Sequence, residues 1–211
     1  MIGQDPFISF PSAMDPRFRV DLIAATPNPQ QCVYAGMHQD YSEGFVAADR
    51  EQWPDETRAG EICVKRLLAG ERGHYGPMEH AQIVLNVGWF PHSVMQQART
   101  HRVGVSFDVQ SMRYTGDRIC RAALGELDLE EVFYLRPVGE YSDRKGKKYL
   151  YSEAERKKDL NHCKISADRY QELLQAGYAE EHARGILTFD YRQHFVVSFT
   201  LRAFLHFMDL R

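Results

Sequence analysis

QARTHRVGVSFDVQSMRY, residues Gln97–Tyr114, is the stretch on which the reading of this chain turns. Its eighteen positions hold Arg99, His101, Arg102 and Arg113 and no lysine, with Asp108 the one acid among serines and glutamines. The planar guanidinium fork grips carboxylate and phosphate oxygens bidentately, so arginines gathered beside hydroxyls and amides point to an anionic ligand. A surface hairpin whose cations are merely solvated would have the same composition. The residues around the segment have to separate the two.

Working outward, the helix predicted from Pro91 (PHSVMQQART) delivers the chain into this segment, and a strand rich in β-branched residues, Ala81–Phe90, precedes that helix. The order strand, helix, loop places the Arg-rich loop at the edge of a sheet, on a rigid scaffold. Further upstream, Phe18–Ala24 alternates as a strand. Thr26–Pro29 ends it and opens a helix to about Asp40, with Asn28 as its cap and Pro29 in the first turn. A second helix spans about Asp55–Ala69, and Gly73–His80 is a turn-rich link. Downstream, the pattern predicts a strand at Glu131–Arg136, an exposed turn at Asp143–Leu150 and a long helix from Ser152 to Ala176. Helices at Glu180–Leu187 and Phe199–Leu210 flank an amphipathic strand at Asp190–Val197. The fold class is α+β: one domain over residues 1–211, with a mainly antiparallel sheet flanked by helices, an irregular start (1–17) and a helical arm (142–178). Glycine-rich phosphate loops of the dinucleotide-binding type are absent.

The net charge of −3 and pI near 6.3 argue against a general nucleic-acid binder, so any anion site is local. The four cysteines, Cys32, Cys63, Cys120 and Cys163, show no CxxC spacing, and reduced thiols in a cytoplasmic protein fit them. No apolar run reaches the length of a membrane span, and the N-terminus lacks the order of a signal peptide.

Four histidines between His74 and His101 invite a metal, but none of the spacings puts two ligands on one helix face with a completing acid, and no metal is expected. Ser106 and Ser111 lack GxSxG and any local base, which makes them hydrogen-bond donors rather than nucleophiles. Arg202 and Arg211 sit in an otherwise apolar stretch, TLRAFLHFMDLR. They are either an interface ion pair and a helix-end charge, or the second half of an anion site that also includes Arg184.

These motifs together resemble the flavin-dependent thymidylate synthases. The family hallmark is Arg-His-Arg followed, seven residues later, by a serine and then by Arg-Tyr; here stand Thr100-His101-Arg102, Ser106 and Ser111-Met112-Arg113-Tyr114. Thr100 replaces the first arginine, Arg99 stands ready to supply that guanidinium, and one extra residue precedes Ser111. His74–His80 is similar to the family's His-x-Thr-Pro-Phe-Glu-His, with Gly76 in place of the threonine. Thr26–Pro29, Ala183–Leu187 and Thr200–Arg211 match three further motifs, in the right order.

The resemblance implies a methyltransferase that makes dTMP from dUMP, with methylenetetrahydrofolate as one-carbon donor, FAD as carrier and NADPH as reductant. It implies a homotetramer with shared active sites, and no partnership with nucleic acid or membrane. Carried over residue by residue, it assigns His74, Glu79, His101, Arg102 and Arg202 to FAD, with Arg99 or Thr100 beside the phosphates and Asp108 near a flavin-contacting asparagine. Thr200 and His206 match further flavin positions. Gln97, Gln110, Ser111, Met112, Arg113, Arg184 and Arg211 are assigned to dUMP, and Arg211 is the catalytic candidate. The alternative from another class is a nucleotide- or RNA-binding module, with Arg99, Arg102 and Arg113 on phosphates and Trp89, Phe107 and Tyr114 for stacking.

Overall fold

The computed structural model describes residues 15–69 and 73–210. Its elements follow the chain as strand β1 (Arg19–Ala25), helix α1 (Pro29–Gln39), α2 (Glu56–Cys63), β2 (Gln82–Pro91), α3 (His92–Ala98) and β3 (Val105–Val109). Two short helices, α4 (Met112–Thr115) and α5 (Asp117–Ala123), precede a hairpin of β4 (Gly139–Ser142) and β5 (Lys148–Tyr151). The long α6 (Glu153–Gln175), α7 (Glu180–Ala183), β6 (Arg192–Thr200) and α8 (Leu201–Leu210) complete it.

The main sheet has the order β1-β2-β6-β3. Hydrogen bonds at the strand ends fix its sense. Thr26 N donates to Gln82 O (2.9 Å), Leu201 N to Ala81 O (2.8 Å) and Thr200 N to Gly104 O (2.8 Å), so each strand ends where its neighbour begins. The sheet is antiparallel, as expected, and β3, in the middle of the Arg-rich segment, is an edge strand.

Contacts within the chain group it into two compact units. The first comprises residues 20–86, 99–108 and those from Phe195 onward; the second comprises 87–98, 109–194 and the residues before Val20. The core of the first is Val33, Met37, Cys63, Leu67, Met78 and Ala81. That of the second gathers Met112, Ile119, Val132, Phe133, Cys163, Ala167 and Tyr170, so α6 lies on it through one face.

Three expectations are corrected. Glu131–Arg136 is not a strand: Leu129–Glu131 forms a 3₁₀ turn, and Phe133 makes only an isolated bridge to Tyr191. Consecutive Val132 and Phe133 are both buried, at 0% and 1% exposure, which strand alternation cannot achieve against one core. Asn28 takes the N-cap position of α1 in a left-handed conformation, φ 46°, without capping it through its side chain. The Glu56 carboxylate accepts the Gln30 and Gln31 N–H groups instead, at 2.8 and 2.9 Å. Asp143–Leu150 is a turn only in part, because Lys148 onward returns as β5, with Gly146 at φ 80° in the turn.

In the second unit, Arg192 is 0% exposed and ion-paired with Asp15. Its Nε donates to Glu130 O (2.6 Å) and its Nη1 to Trp89 O (2.7 Å), while Tyr134 and Phe18 present ring faces to its guanidinium. Burial alone would raise the Asp15 carboxyl, but the hydrogen bonds and charges of Arg192 and Arg17 hold it below its ordinary value. No helix among the described residues is long and apolar enough to cross a membrane.

Candidate functional site

The residues assigned to flavin all fall in the first unit, and those assigned to the nucleotide fall in the second, Arg211 excepted. Arg211 lies outside the described residues.

In the first unit the 3₁₀ turn Gly76–Glu79 and helix α8 face one cavity of about 620 Å³. Leu68, Met78, Val103 and Leu205 give it apolar walls; Glu79, Arg202 and His206 give it charge and hydrogen-bonding groups. Arg202 Nη1 donates to Glu79 Oε1 at 3.1 Å, with the side chains 48% and 32% exposed, and its guanidinium lies 5.9 Å from the Tyr75 ring centre. His101 meets α8 edge-on, 6.0 Å from the His206 ring and 5.1 Å from that of Phe207. Thr200 precedes α8 and its hydroxyl accepts the Ala203 N–H at 3.2 Å.

One residue holds this corner together without having been singled out. Gly104 has φ +69°, and a Cβ there would stand 2.5 Å from Thr200 Oγ1, 3.0 Å from Ala203 Cβ and 3.3 Å from Glu79 Oε2. The backbone of the Arg-rich segment can approach Thr200 and Glu79 this closely because residue 104 has no side chain. The signal in the sequence was a lone glycine opening a strand, which alone reads as an ordinary turn.

The remaining flavin candidates are less convergent. His74 belongs to a second cavity, also about 620 Å³, with Tyr34, Met37, His38, Tyr41, Ile62, Arg66 and Leu67, and its Nε2 is 2.9 Å from Asp40 Oδ2. A π-helical turn, Val64–Leu68, separates the two cavities, sending Leu67 to this one and Leu68 to the other. Arg99, Thr100 and Arg102 lie exposed between α3 and β3, and Asp108 is exposed on β3.

In the second unit, Gln110 and Ser111 form the turn between β3 and α4. Gln110 N donates to His194 O (2.9 Å), and its side-chain Oε1 accepts the His194 N–H (3.4 Å). Ser111 caps α4 by accepting the Arg113 N–H at 3.4 Å. Arg113 Nε pairs with Glu181 at 2.9 Å, both about half exposed, which ties α4 to α7 just before the exposed Arg184. Met112 is 2% exposed in the core, leaving only its backbone for a ligand. Gln97 is exposed near the end of α3. In this unit two buried side-chain atoms have no hydrogen-bond partner among the described residues, Arg118 Nε and Tyr170 Oη. Burial, with the neighbouring charge of Arg192, pulls the Arg118 guanidinium down to about 10. Burial and the Arg118 charge likewise lower His194.

The cysteines are free, and burial pushes the Cys63 thiol up to about 11 and raises Cys120 and Cys163. Those three stay thiols at neutral pH.

A family model described as thymidylate synthase complementing protein matches residues 21–211. The chain belongs to this family. A flavin-dependent thymidylate synthase of Haloarcula marismortui is 31% identical over 202 residues, 91% of this chain and 81% of its own length. That of Nitratidesulfovibrio vulgaris is 28% identical over 92% of this chain and 74% of its own length. Among solved structures, thymidylate synthase X of Helicobacter pylori with FAD and dUMP superposes with a TM-score of 0.66 at 15% identity, covering 92% of this chain and 83% of that one. The UMP/dUMP methylase PolB of Streptomyces cacaoi gives 0.63 at 21%, over 90% and 76%. At these identities the two structures bear on the fold alone, a mixed helix-and-sheet architecture with an antiparallel sheet.

Proposed function

We propose that this family member is a flavin-dependent thymidylate synthase that methylates dUMP to dTMP, with FAD bound in the first unit. Methylenetetrahydrofolate is the one-carbon donor, NADPH the reductant, and the working assembly a homotetramer. The observation that carries the reading is the cavity around Glu79, Arg202 and His206, where apolar walls and a few convergent polar groups suit a flat, partly charged ring system. Gly76, where the family has threonine, would bring a Cβ into open space, so the substitution removes a hydroxyl without closing the cavity.

Arg202 and Glu79 would hold the ring system and orient it, with His101 and His206 at its rim. Arg99, Thr100 and Arg102 would take its phosphates. When bound, FAD supplies carriage of the one-carbon unit and of hydride. The nucleotide would be held by Gln97, by Gln110, Ser111 and the Met112 backbone, and by Arg113 and Arg184. An incoming phosphate has to compete with Glu181 for Arg113, and the half-exposed pair makes that exchange cheap. Arg211 is the catalytic candidate. With no cysteine in the matched motifs to activate the pyrimidine, negative charge must develop on its N3 and O2 side, and a guanidinium fixed there stabilises the transition state more than the ground state. The apolar Val20, Leu22 and Ile23 of edge strand β1 are each more than half exposed, a surface consistent with burial between subunits.

The test is a titration of purified protein. Flavin absorbance that bleaches with NADPH, and dTMP formed from dUMP only when methylenetetrahydrofolate is added, are expected. A colourless protein that takes up no FAD and binds RNA with a steep salt dependence would overturn the reading.

A further inference from the structure

Behind the Gln110–Ser111 turn, in the second unit, runs a chain of side-chain hydrogen bonds to which no part of the reaction has been assigned. Gln96 Nε2 lies 2.8 Å from His92 Nε2, and His92 Nδ1 lies 2.6 Å from Gln193 Oε1. Gln193 Nε2 donates to Gln110 O at 3.1 Å. The polarity runs one way: amide N–H to imidazole nitrogen, imidazole N–H to amide oxygen, amide N–H to the turn's carbonyl. A neutral imidazole has one donor and one acceptor, and this arrangement uses both, fixing the proton on Nδ1.

Gln193 is only 3% exposed. A buried amide is costly unless its groups are paired, and this one is paired at both ends. The His92 ring is itself locked, stacked on Tyr191 at 4.8 Å and edge-on to Phe189 at 5.2 Å. On Gln110, the backbone N–H, the carbonyl and the side-chain oxygen all have protein partners. Its side-chain NH₂ is the group without one among the described residues. Bonds aligned in one direction polarise one another, so the chain stiffens the turn more than three separate bonds would.

We infer that His92 and Gln193 are positioning residues for the nucleotide, holding Gln110 so that its amide NH₂ and the adjoining Ser111 meet dUMP. This rests on the reading of Gln110 as a dUMP contact.

The experiment uses the FAD-loaded full chain and measures dUMP affinity, KM and kcat for Gln193→Met, His92→Leu, His92→Asn and Gln110→Ala. Methionine fills the glutamine's space and makes neither bond. Asparagine places an N–H near where Nδ1 stood, so it can restore the bond to Gln193. Loss of a buried, paired hydrogen bond predicts about a tenfold weaker dUMP affinity in Gln193→Met and His92→Leu. KM should rise in parallel, kcat at saturating dUMP should change less than about threefold, and flavin content should stay the same. His92→Asn should recover most of the affinity. If Gln193→Met fails to fold, the two His92 variants decide alone. Equal impairment of His92→Asn and His92→Leu would overturn the inference, because ring packing would then be the cause. Normal dUMP affinity in both His92→Leu and Gln193→Met would also overturn it if Gln110→Ala binds weakly. Normal affinity in Gln110→Ala would instead refute the assignment of Gln110 itself and leave the chain with nothing to position.

Discussion

Replacing Gly104 with alanine tests whether the close approach of residue 104 to Thr200 and Glu79 holds the proposed flavin site together. Alanine at φ +69° pays for a left-handed backbone, about 1–2 kcal/mol. Its Cβ would also stand 2.5 Å from Thr200 Oγ1 and 3.0 Å from Ala203 Cβ, an overpacking that costs about 1–3 kcal/mol. Together these predict a loss of about 2–5 kcal/mol, a fall in Tm of roughly 4–20 °C at roughly 2–4 °C per kcal/mol. Removing the Thr200 hydroxyl alone should cost about 1 kcal/mol, because it caps α8 at the Ala203 N–H. In the double variant Gly104→Ala, Thr200→Ala the worst clash is gone, so the losses should fall short of additive by about 1–2 kcal/mol. Urea denaturation of all four proteins, without and with FAD, measures the cycle. FAD affinity should fall in Gly104→Ala, since Glu79 Oε2 would lie 3.3 Å from the new methyl. Strict additivity, or a Gly104→Ala protein with native FAD affinity and Tm, would refute the claim that this contact shapes the site.

Other substitutions separate binding from folding. Arg202→Ala should change stability by less than about 1 kcal/mol, because its pair with Glu79 is largely open to water, yet weaken FAD about 10- to 100-fold; unchanged flavin occupancy would contradict the assignment. Asp15→Asn should do the reverse, costing about 3 kcal/mol by leaving the fully buried Arg192 charge without its carboxylate; a loss below about 1 kcal/mol by denaturation would show that the two carbonyls and two rings suffice. The folded Asp15 carboxyl is depressed, so its contribution is present above the unfolded value near 3.9 and is lost as the pH falls through the lower folded value. The acid-unfolding curve of Asp15→Asn should lack that component. Arg211→Ala should keep FAD and lose dUMP-dependent turnover, measured as dTMP formed; retained turnover would remove Arg211 from its catalytic role.

The elements that a single period describes were legible: β1, α1, β2 and α6 stand within a residue or two of their predicted places. What was not legible lies where one residue's neighbours come from far along the chain. Val132 and Phe133 read as strand because β-branched and aromatic residues favour it, yet the Glu130 carbonyl is drawn to Arg192, 62 positions away, and the backbone there turns instead. α5 was missed although Ile119, Ala122 and Ala123 carry helical spacing, because Asp117–Ala123 is too short for periodicity to stand out. The cap of α1 went to Glu56 for a similar reason, since nothing near Asn28 announces a carboxylate from the next helix.

The site shows the same division more sharply. In the sequence all arginines weigh alike, and Arg118 and Arg192 were passed over because they lie outside the motif. Both turn out to be more deeply buried than the motif arginines among the described residues, and burial is what disqualifies them as ligand-binding groups. Arg192 already spends three of its five N–H donors on a carboxylate and two carbonyls, between two ring faces, and at 0% exposure the others are closed to an incoming phosphate. Arg99, Arg102 and Arg184 are exposed and form no ion pair among the described residues, while Arg113 and Arg202 hold one half-exposed carboxylate each. A ligand phosphate can displace an exposed carboxylate at a cost of at most about 1 kcal/mol, but it cannot displace Asp15 from Arg192 without exposing a buried charge. Accessible donors, rather than guanidinium count, therefore separate the candidate anion-binding arginines, and Arg99, Arg102, Arg113, Arg184 and Arg202 meet that criterion where Arg118 and Arg192 do not.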